Sequence, residues 1–233
     1  MKESIYTIPI NAAFGRFDGC PMCRLYNELE PASLDYIMGA AMMEPDVRIK
    51  TNEQGFCLRH YSKMLAEKNK LSLALMLESR LPELSASLFG RAEKAAGREQ
   101  ELKKLRGDAK ASAGGCFVCA RVAFFMEKYN ENVIYLWRRE PDFREKFLRQ
   151  PFFCLPHYSD LLECSRAGLP RKTQAEFIRE LTGICKAYLN AVCADVSAFC
   201  GSFDYRQAGK PLAEGAQTAV ERAIAFLAGI KNG

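Results

Sequence analysis

The heptapeptide GFCLRHY at residues 55–61 returns as FFCLPHY at residues 152–158. The chain has two histidines, His60 and His157, and each stands three positions after a cysteine inside one of these stretches. A lone buried cysteine usually packs as a small hydrophobe. A Cys-x-x-His pair that occurs twice and accounts for every histidine points instead to metal ligation, because two residues between ligands let both side chains turn towards one ion.

Working outward from these pairs, the chain reads as a duplication. CPMC at 20–23 matches CFVC at 116–119 at an offset of 96, and EPDVR at 44–48 matches EPDFR at 140–144 at the same offset. The Cys-x-x-His pairs match at 97, after one inserted residue. Each copy therefore runs C-x-x-C, E-P-D-x-R, F-C-L-x-H-Y, with 33 residues between the ligand pairs in the first copy and 34 in the second. Repeats of this kind are supersecondary units that bury their apolar faces together.

The segments between the landmarks have helical periodicity. Val122, Phe125, Met126, Tyr129, Val133, Leu136 and Trp137 step mostly by three and four, and Leu25, Tyr26, Leu29, Ile37 and Ala41 form the stripe in the first copy. Pro31 is expected to kink or restart that helix, and Glu44-Pro45 and Glu140-Pro141 to end one helix and seed the next. A further helix follows each Cys-x-x-His: residues 71–88, bent near Pro82, and residues 174–200, with Phe177, Leu181, Cys185, Tyr188, Val192, Val196 and Phe199 on one face. Residues 90–115 are charged and small, the pattern of a partly helical, solvated linker. No useful strand alternation occurs. The expected fold is all-α: a tandem duplication of a zinc-stapled helical repeat, with the first metal-binding repeat at 1–108, the second at 109–202, and a tail at 203–233. The tail ends in an amphipathic helix carrying Val220, Ile224, Phe226 and Leu227.

Composition limits the function classes. Apolar residues make up 48% and charged residues 26%, and apolar runs such as AIAFLA at 223–228 fall far short of a membrane span. The N-terminal MKESIYTIPINAAFGRFDG lacks the apolar core of a signal peptide, so a cytoplasmic location is expected. Ten cysteines in a reducing compartment read as metal or redox chemistry rather than disulfides. The formal charge of +5, from 33 basic and 28 acidic side chains, is too mild for a nucleic-acid binder.

Three thiolates and an imidazole suit tetrahedral zinc. Cys20, Cys23, Cys57 and His60 form the expected first set, and Cys116, Cys119, Cys154 and His157 the second, each closed by a helix going out and a chain coming back. Two zinc ions per chain are expected, with iron–sulfur ligation the alternative that the same donors allow. CPMC as a thioredoxin-type redox pair would need a βαβ context, which the pattern lacks. Cys164, Cys185, Cys193 and Cys200 lie outside paired motifs and are expected to pack. Asp46 and Asp142 are candidates to accept the second ring N–H of a ligating histidine. The favoured alternative has them support the first turn of a new helix, with Arg48 and Arg144 pairing locally. FDYR at 203–206 is expected to dock the tail onto the helices.

The order CPxC, MMEPDVR, GFCxxHY, CFVC, YLWRREPDFR, FCLPHY and FDYR resembles an uncharacterised bacterial family, a domain of unknown function found notably in Firmicutes. The resemblance covers nearly the whole chain. Relatives of this kind carry an aromatic stretch after FDYR, where this chain has the plainer QAGKPLAEGAQTAVERAIAF. The resemblance implies no activity. The residues themselves favour a non-catalytic interaction or regulatory module with a protein partner or self-association, since a four-ligand site leaves no open position on the metal. A metalloenzyme and a redox or metal-responsive sensor are the alternatives. No phosphate-binding glycine loop, Ser-His-Asp set or HExxH motif is present.

Overall fold

Proline placement and apolar stripes set the helix boundaries. The computed structural model describes residues 5–204 and 212–230, and these are helices and turns with no strand. The helices are α1 (Thr7–Phe14), α2 (Pro21–Met38), α3 (Pro45–Gln54), α4 (Leu58–Ala66), α5 (Lys70–Leu84), α6 (Gly90–Ala95), α7 (Glu99–Gly114), α8 (Phe117–Arg139), α9 (Pro141–Leu148), α10 (Leu155–Gly168), α11 (Arg171–Gly201), α12 (Glu214–Gln217) and α13 (Ala219–Ala228). In chain order, α2 to α5 correspond to α8 to α11.

Three expectations take a definite form. Pro31 lies inside α2 without ending it. Pro82 is likewise inside α5, which widens immediately afterwards into a π turn, Ser85–Phe89, the local distortion by which a helix absorbs such a residue. Residues 90–115, read as a partly helical linker, contain the whole of α6 and α7; α7 buries none of its residues, so charge and propensity rather than packing make it helical.

The chain separates into two compact units, and their boundaries differ from the sequential repeats 1–108 and 109–202. One unit is Met1–Glu28 with Phe125–Gly233, the other Leu29–Phe124. The boundaries fall inside α2 and α8, so the start of each repeat lies in one unit and its continuation in the other. In the discontinuous unit, Phe14, Phe143, Phe147, Phe153, Phe177 and Trp137 are fully buried. Their rings meet at 4.9 Å for Phe14 with Phe143 and Phe147 with Phe153, and at 5.0 Å for Trp137 with Phe177, contacts worth about 0.5–1.5 kcal/mol each beyond area burial. In the Leu29–Phe124 unit the core is Leu34, Ile37, Phe56, Met64, Leu73, Met76, Val118 and Val122.

The arginine of each E-P-D-x-R ties a short helix to a long one rather than pairing locally. Arg48 on α3 donates to the Leu75 carbonyl on α5. Arg144 on α9 lies 4.5 Å over the Trp137 ring and pairs with Glu176, at 2.5 Å, and with Glu180 on α11. Trp137 Nε1–H donates to Glu180 at 2.8 Å, so the buried indole has its partner.

No single helix among the described residues is long and apolar enough to cross a membrane. Phe203 is exposed and stands edge-on to Phe199 at 5.3 Å, which is not the docking expected of FDYR; Tyr205 and Arg206 lie outside the described residues.

Candidate metal centres

All eight predicted ligands sit in the same local setting. Cys57 and Cys154 cap α4 and α10 in extended backbone conformation, placing His60 and His157 in the first turn. Cys20 and Cys116 directly precede α2 and α8, placing Cys23 and Cys119 likewise. The carbonyl of each leading cysteine accepts the first helical hydrogen bond, from Arg24, Tyr61, Ala120 and Tyr158. A two-residue gap is therefore the gap between a helix cap and the third residue of its first turn. Unpaired N–H groups and the positive end of the dipole favour thiolates there.

These four helix starts converge in pairs, but not as the sequence reading paired them. One group is Cys20, Cys23, Cys154 and His157; the other is Cys57, His60, Cys116 and Cys119. Each Cys-x-x-C closes with the Cys-x-x-His of the other copy, which corrects the expected sets. The reason lies in element lengths. With 18 residues, α2 extends about 27 Å, whereas the returning α3, with 10, covers about 15 Å, so a return to the start of α2 would need the 3-10 turn Ala40–Met43 and the connecting residues stretched along it as well. For α8 and α9, of 23 and 8 residues, the mismatch is greater, about 35 Å against 12 Å. Each group lies wholly inside one of the two units.

In the His157 group, His157 Nδ1 stands 3.7, 3.5 and 3.0 Å from the sulfurs of Cys20, Cys23 and Cys154, and the Cys23 and Cys154 sulfurs are 3.5 Å apart. In the His60 group, Nδ1 lies 3.2 Å from both Cys57 and Cys116 and 3.4 Å from Cys119, and the Cys57 and Cys119 sulfurs are 3.9 Å apart. Tetrahedral zinc with bonds of about 2.3 Å to sulfur and 2.05 Å to nitrogen gives edges of about 3.8 Å between sulfurs and 3.6 Å from sulfur to nitrogen. These distances match that polyhedron within about 0.4 Å, apart from Cys154 to His157, which is about 0.6 Å short, so the residues fit the metal.

The electrostatics point the same way. Burial, then the neighbouring thiols, drives Cys20 well above the ordinary thiol range. Cys119 is pushed up to about 12 by burial and by Cys116 and Cys57. Burial lowers the basicity of His157, but hydrogen bonds to Cys154 and Cys23 and their charges outweigh it and raise His157 to about 9. Cys23 lies far below the ordinary thiol range, held there by hydrogen bonds from Cys154 and Cys20, and Cys57 is lowered although burial opposes it. In each group a lowered thiol thus sits beside a raised one that keeps its proton, because like charges cannot all share so small a space. A dication relieves this, and its uptake must release those protons, so affinity falls as pH falls.

The surroundings of the two groups differ. His60 Nε2 meets Glu30 Oε1 at 3.0 Å, and Arg59 and Lys63 reach the same carboxylate at 2.8 Å each. Glu30 is only 2% exposed. Burial raises its carboxyl, but the hydrogen bonds from Lys63 and His60 and the nearby positive charges hold it below the ordinary carboxylate value. Asp46 stands in the first turn of α3 and Asp142 in that of α9, the helix-starting role. It is Glu30 that orients the histidine. The sequence held only a partial signal for it, the basic residues at positions 59 and 63 around His60, which call for a carboxylate partner.

At the His60 group the Phe117 N–H donates to the Gly55 carbonyl at 2.8 Å, joining the two ligand-bearing turns. Gly55 has φ 60°, and a Cβ there would fall 2.5 Å from the Arg80 guanidinium, so glycine is required. At the other group Pro21 occupies the position of Phe117 and has no N–H to give. The C-terminal segment takes over: Ile230 N–H points at Cys23 Sγ at 3.4 Å, and the Ile230 carbonyl accepts from Asn27 at 2.9 Å.

The remaining cysteines follow no common rule. Cys185 is buried and its thiol is pushed up to about 11 by burial, as packing predicts, while Cys164 is half-buried and Cys193 and Cys200 are exposed.

No curated protein and no solved structure matches the chain. A family model does, over residues 1–233, the full span of both candidate centres, and the chain accordingly belongs to the family of unknown function DUF6062.

Proposed function

We propose that the chain is a two-zinc protein whose metals bind four helix starts in pairs, and that it acts as a non-catalytic interaction or regulatory module in the cytoplasm. The carrying observation is the double convergence of three sulfurs and an imidazole nitrogen, all within 4.8 Å of one another in each group, a spacing that suits one zinc ion. Side chains fill all four positions of each polyhedron, which favours a structural over a hydrolytic role. An outward stripe on α13, with Val220, Ile224 and Leu227 all exposed, supports a protein partner or a second copy of this chain. Nucleic acid is not the expected partner, because the net charge of +5 is small for neutralising many phosphates.

Elemental analysis of protein purified without added metal tests the reading. Two zinc ions per chain are expected, in a colourless protein. A well-folded protein free of metal would sink the proposal, and visible charge-transfer absorption with iron would transfer the sites to iron–sulfur chemistry.

A further inference from the structure

The two candidate centres have the same donors and unequal access. In the His157 group Cys20, Cys23, Cys154 and His157 are 2%, 3%, 0% and 6% exposed. The end of α13 lies against it. Gly229, at φ 77°, passes so near that a Cβ would stand 3.4 Å from both Cys23 Sγ and Cys154 Sγ, and Ile230 N–H meets Cys23. The segment 229–230 belongs to the tail and has no counterpart in the repeat. In the His60 group Cys119 is exposed and Cys57 half-buried, while Cys116 and His60 are buried. The two more accessible sulfurs are 3.9 Å apart. A disulfide of about 2.05 Å needs them to approach by about 1.9 Å.

We propose that the His60 centre releases its zinc on oxidation by a hydroperoxide, whereas the His157 centre, covered by residues 229–230, retains its metal. This rests on both centres binding zinc. The Cys119 thiolate attacks the O–O bond, forming an S–O bond and expelling hydroxide or alkoxide, which takes a proton. The Cys57 thiolate then attacks the Cys119 sulfur, forming the S–S bond and expelling hydroxide, which is protonated to water. Two thiolates supply two electrons and the peroxide accepts them. Cys116 and His60 remain, and two ligands hold zinc far more weakly than four. A thiol reductant reverses the step by exchange at the exposed sulfur. Oxidation of the other centre requires the tail to lift.

The test starts from full-length protein shown to carry two zinc ions, treated with hydrogen peroxide beside a chromophoric zinc chelator. One zinc per chain is expected to leave at least about tenfold faster than the second. Peptide mapping after the fast phase should find a Cys57–Cys119 disulfide, and reduction with added zinc should restore the original content. A chain ending at Ala228 should lose both metals at similar rates. Equal rates in the full chain, a first disulfide lacking Cys57 or Cys119, or unaltered protection in the shortened chain would overturn the proposal. Fewer than two zinc ions before peroxide would fail the two-zinc reading instead, so the two failures are distinct.

Discussion

Glu30 sets the His60 ring before any metal arrives. By accepting Nε2–H, the carboxylate leaves the Nδ1 lone pair facing Cys57, Cys116 and Cys119. The position 96 residues later is Met126, so this arrangement belongs to one copy only. Glu30→Gln is expected to weaken zinc at the His60 centre by about 10–100-fold, the usual cost of losing such a partner, with the His157 centre unchanged. Competition against a chelator of known affinity reads both; equal loss at the two centres would mean that Glu30 serves the fold and not the ligand. Its pH sign is that of a depressed carboxyl. Its contribution is complete above the ordinary value of 4.5 and is lost as pH falls through the lower folded value, so variant and wild type should converge in stability in acid.

At the scale of elements, four helix starts carry equivalent ligand pairs, and which start meets which is an experimental question with a sharp answer. Cys20→Ser with Cys154→Ser damages one observed centre and should leave about one zinc. Cys20→Ser with Cys57→Ser damages both and should leave nearly none. The pairing expected from sequence order reverses these outcomes. Both the legibility of the site and its limit lie here. Two-residue gaps at helix starts marked all eight candidate donors, and the three-and-four stripe of Val122 to Trp137 betrayed α8, because those patterns are local. Partner choice is not local: Cys20-x-x-Cys23 suits either Cys-x-x-His, and the shortness of α3 and α9 beside α2 and α8 favours the partner from the other copy. The same cause left the extent of α6 and α7 within the partly helical linker undefined. Residues 90–115 look solvated because they are, yet they are the segment that delivers Cys116 to Cys57. The role of Ile230 was invisible, since a backbone N–H leaves no mark in the sequence.

Over the whole molecule the closures are nested, Cys23 to Cys154 spanning 131 positions and Cys57 to Cys119 spanning 62 inside it. Nesting couples the centres through the unfolded chain, because loss of the inner closure lengthens the outer loop about twofold. Loop entropy grows slowly, however, and a doubling costs only about 0.6 kcal/mol. Structural zinc contributes on the order of 10 kcal/mol of folding free energy at neutral pH. Each donor set, moreover, lies entirely within one unit. The local term therefore dominates, and each metal should hold its own unit. Hydrogen exchange with mass spectrometry on single variants checks this. Cys57→Ser should lose protection across Leu29–Phe124 while Phe125–Gly233 stays protected, and Cys154→Ser should do the opposite, loosening Met1–Glu28 with Phe125–Gly233 because that centre joins the two separated stretches. Loss of protection along the entire chain in either variant would mean that the continuous helices α2 and α8 transmit what the loop term does not.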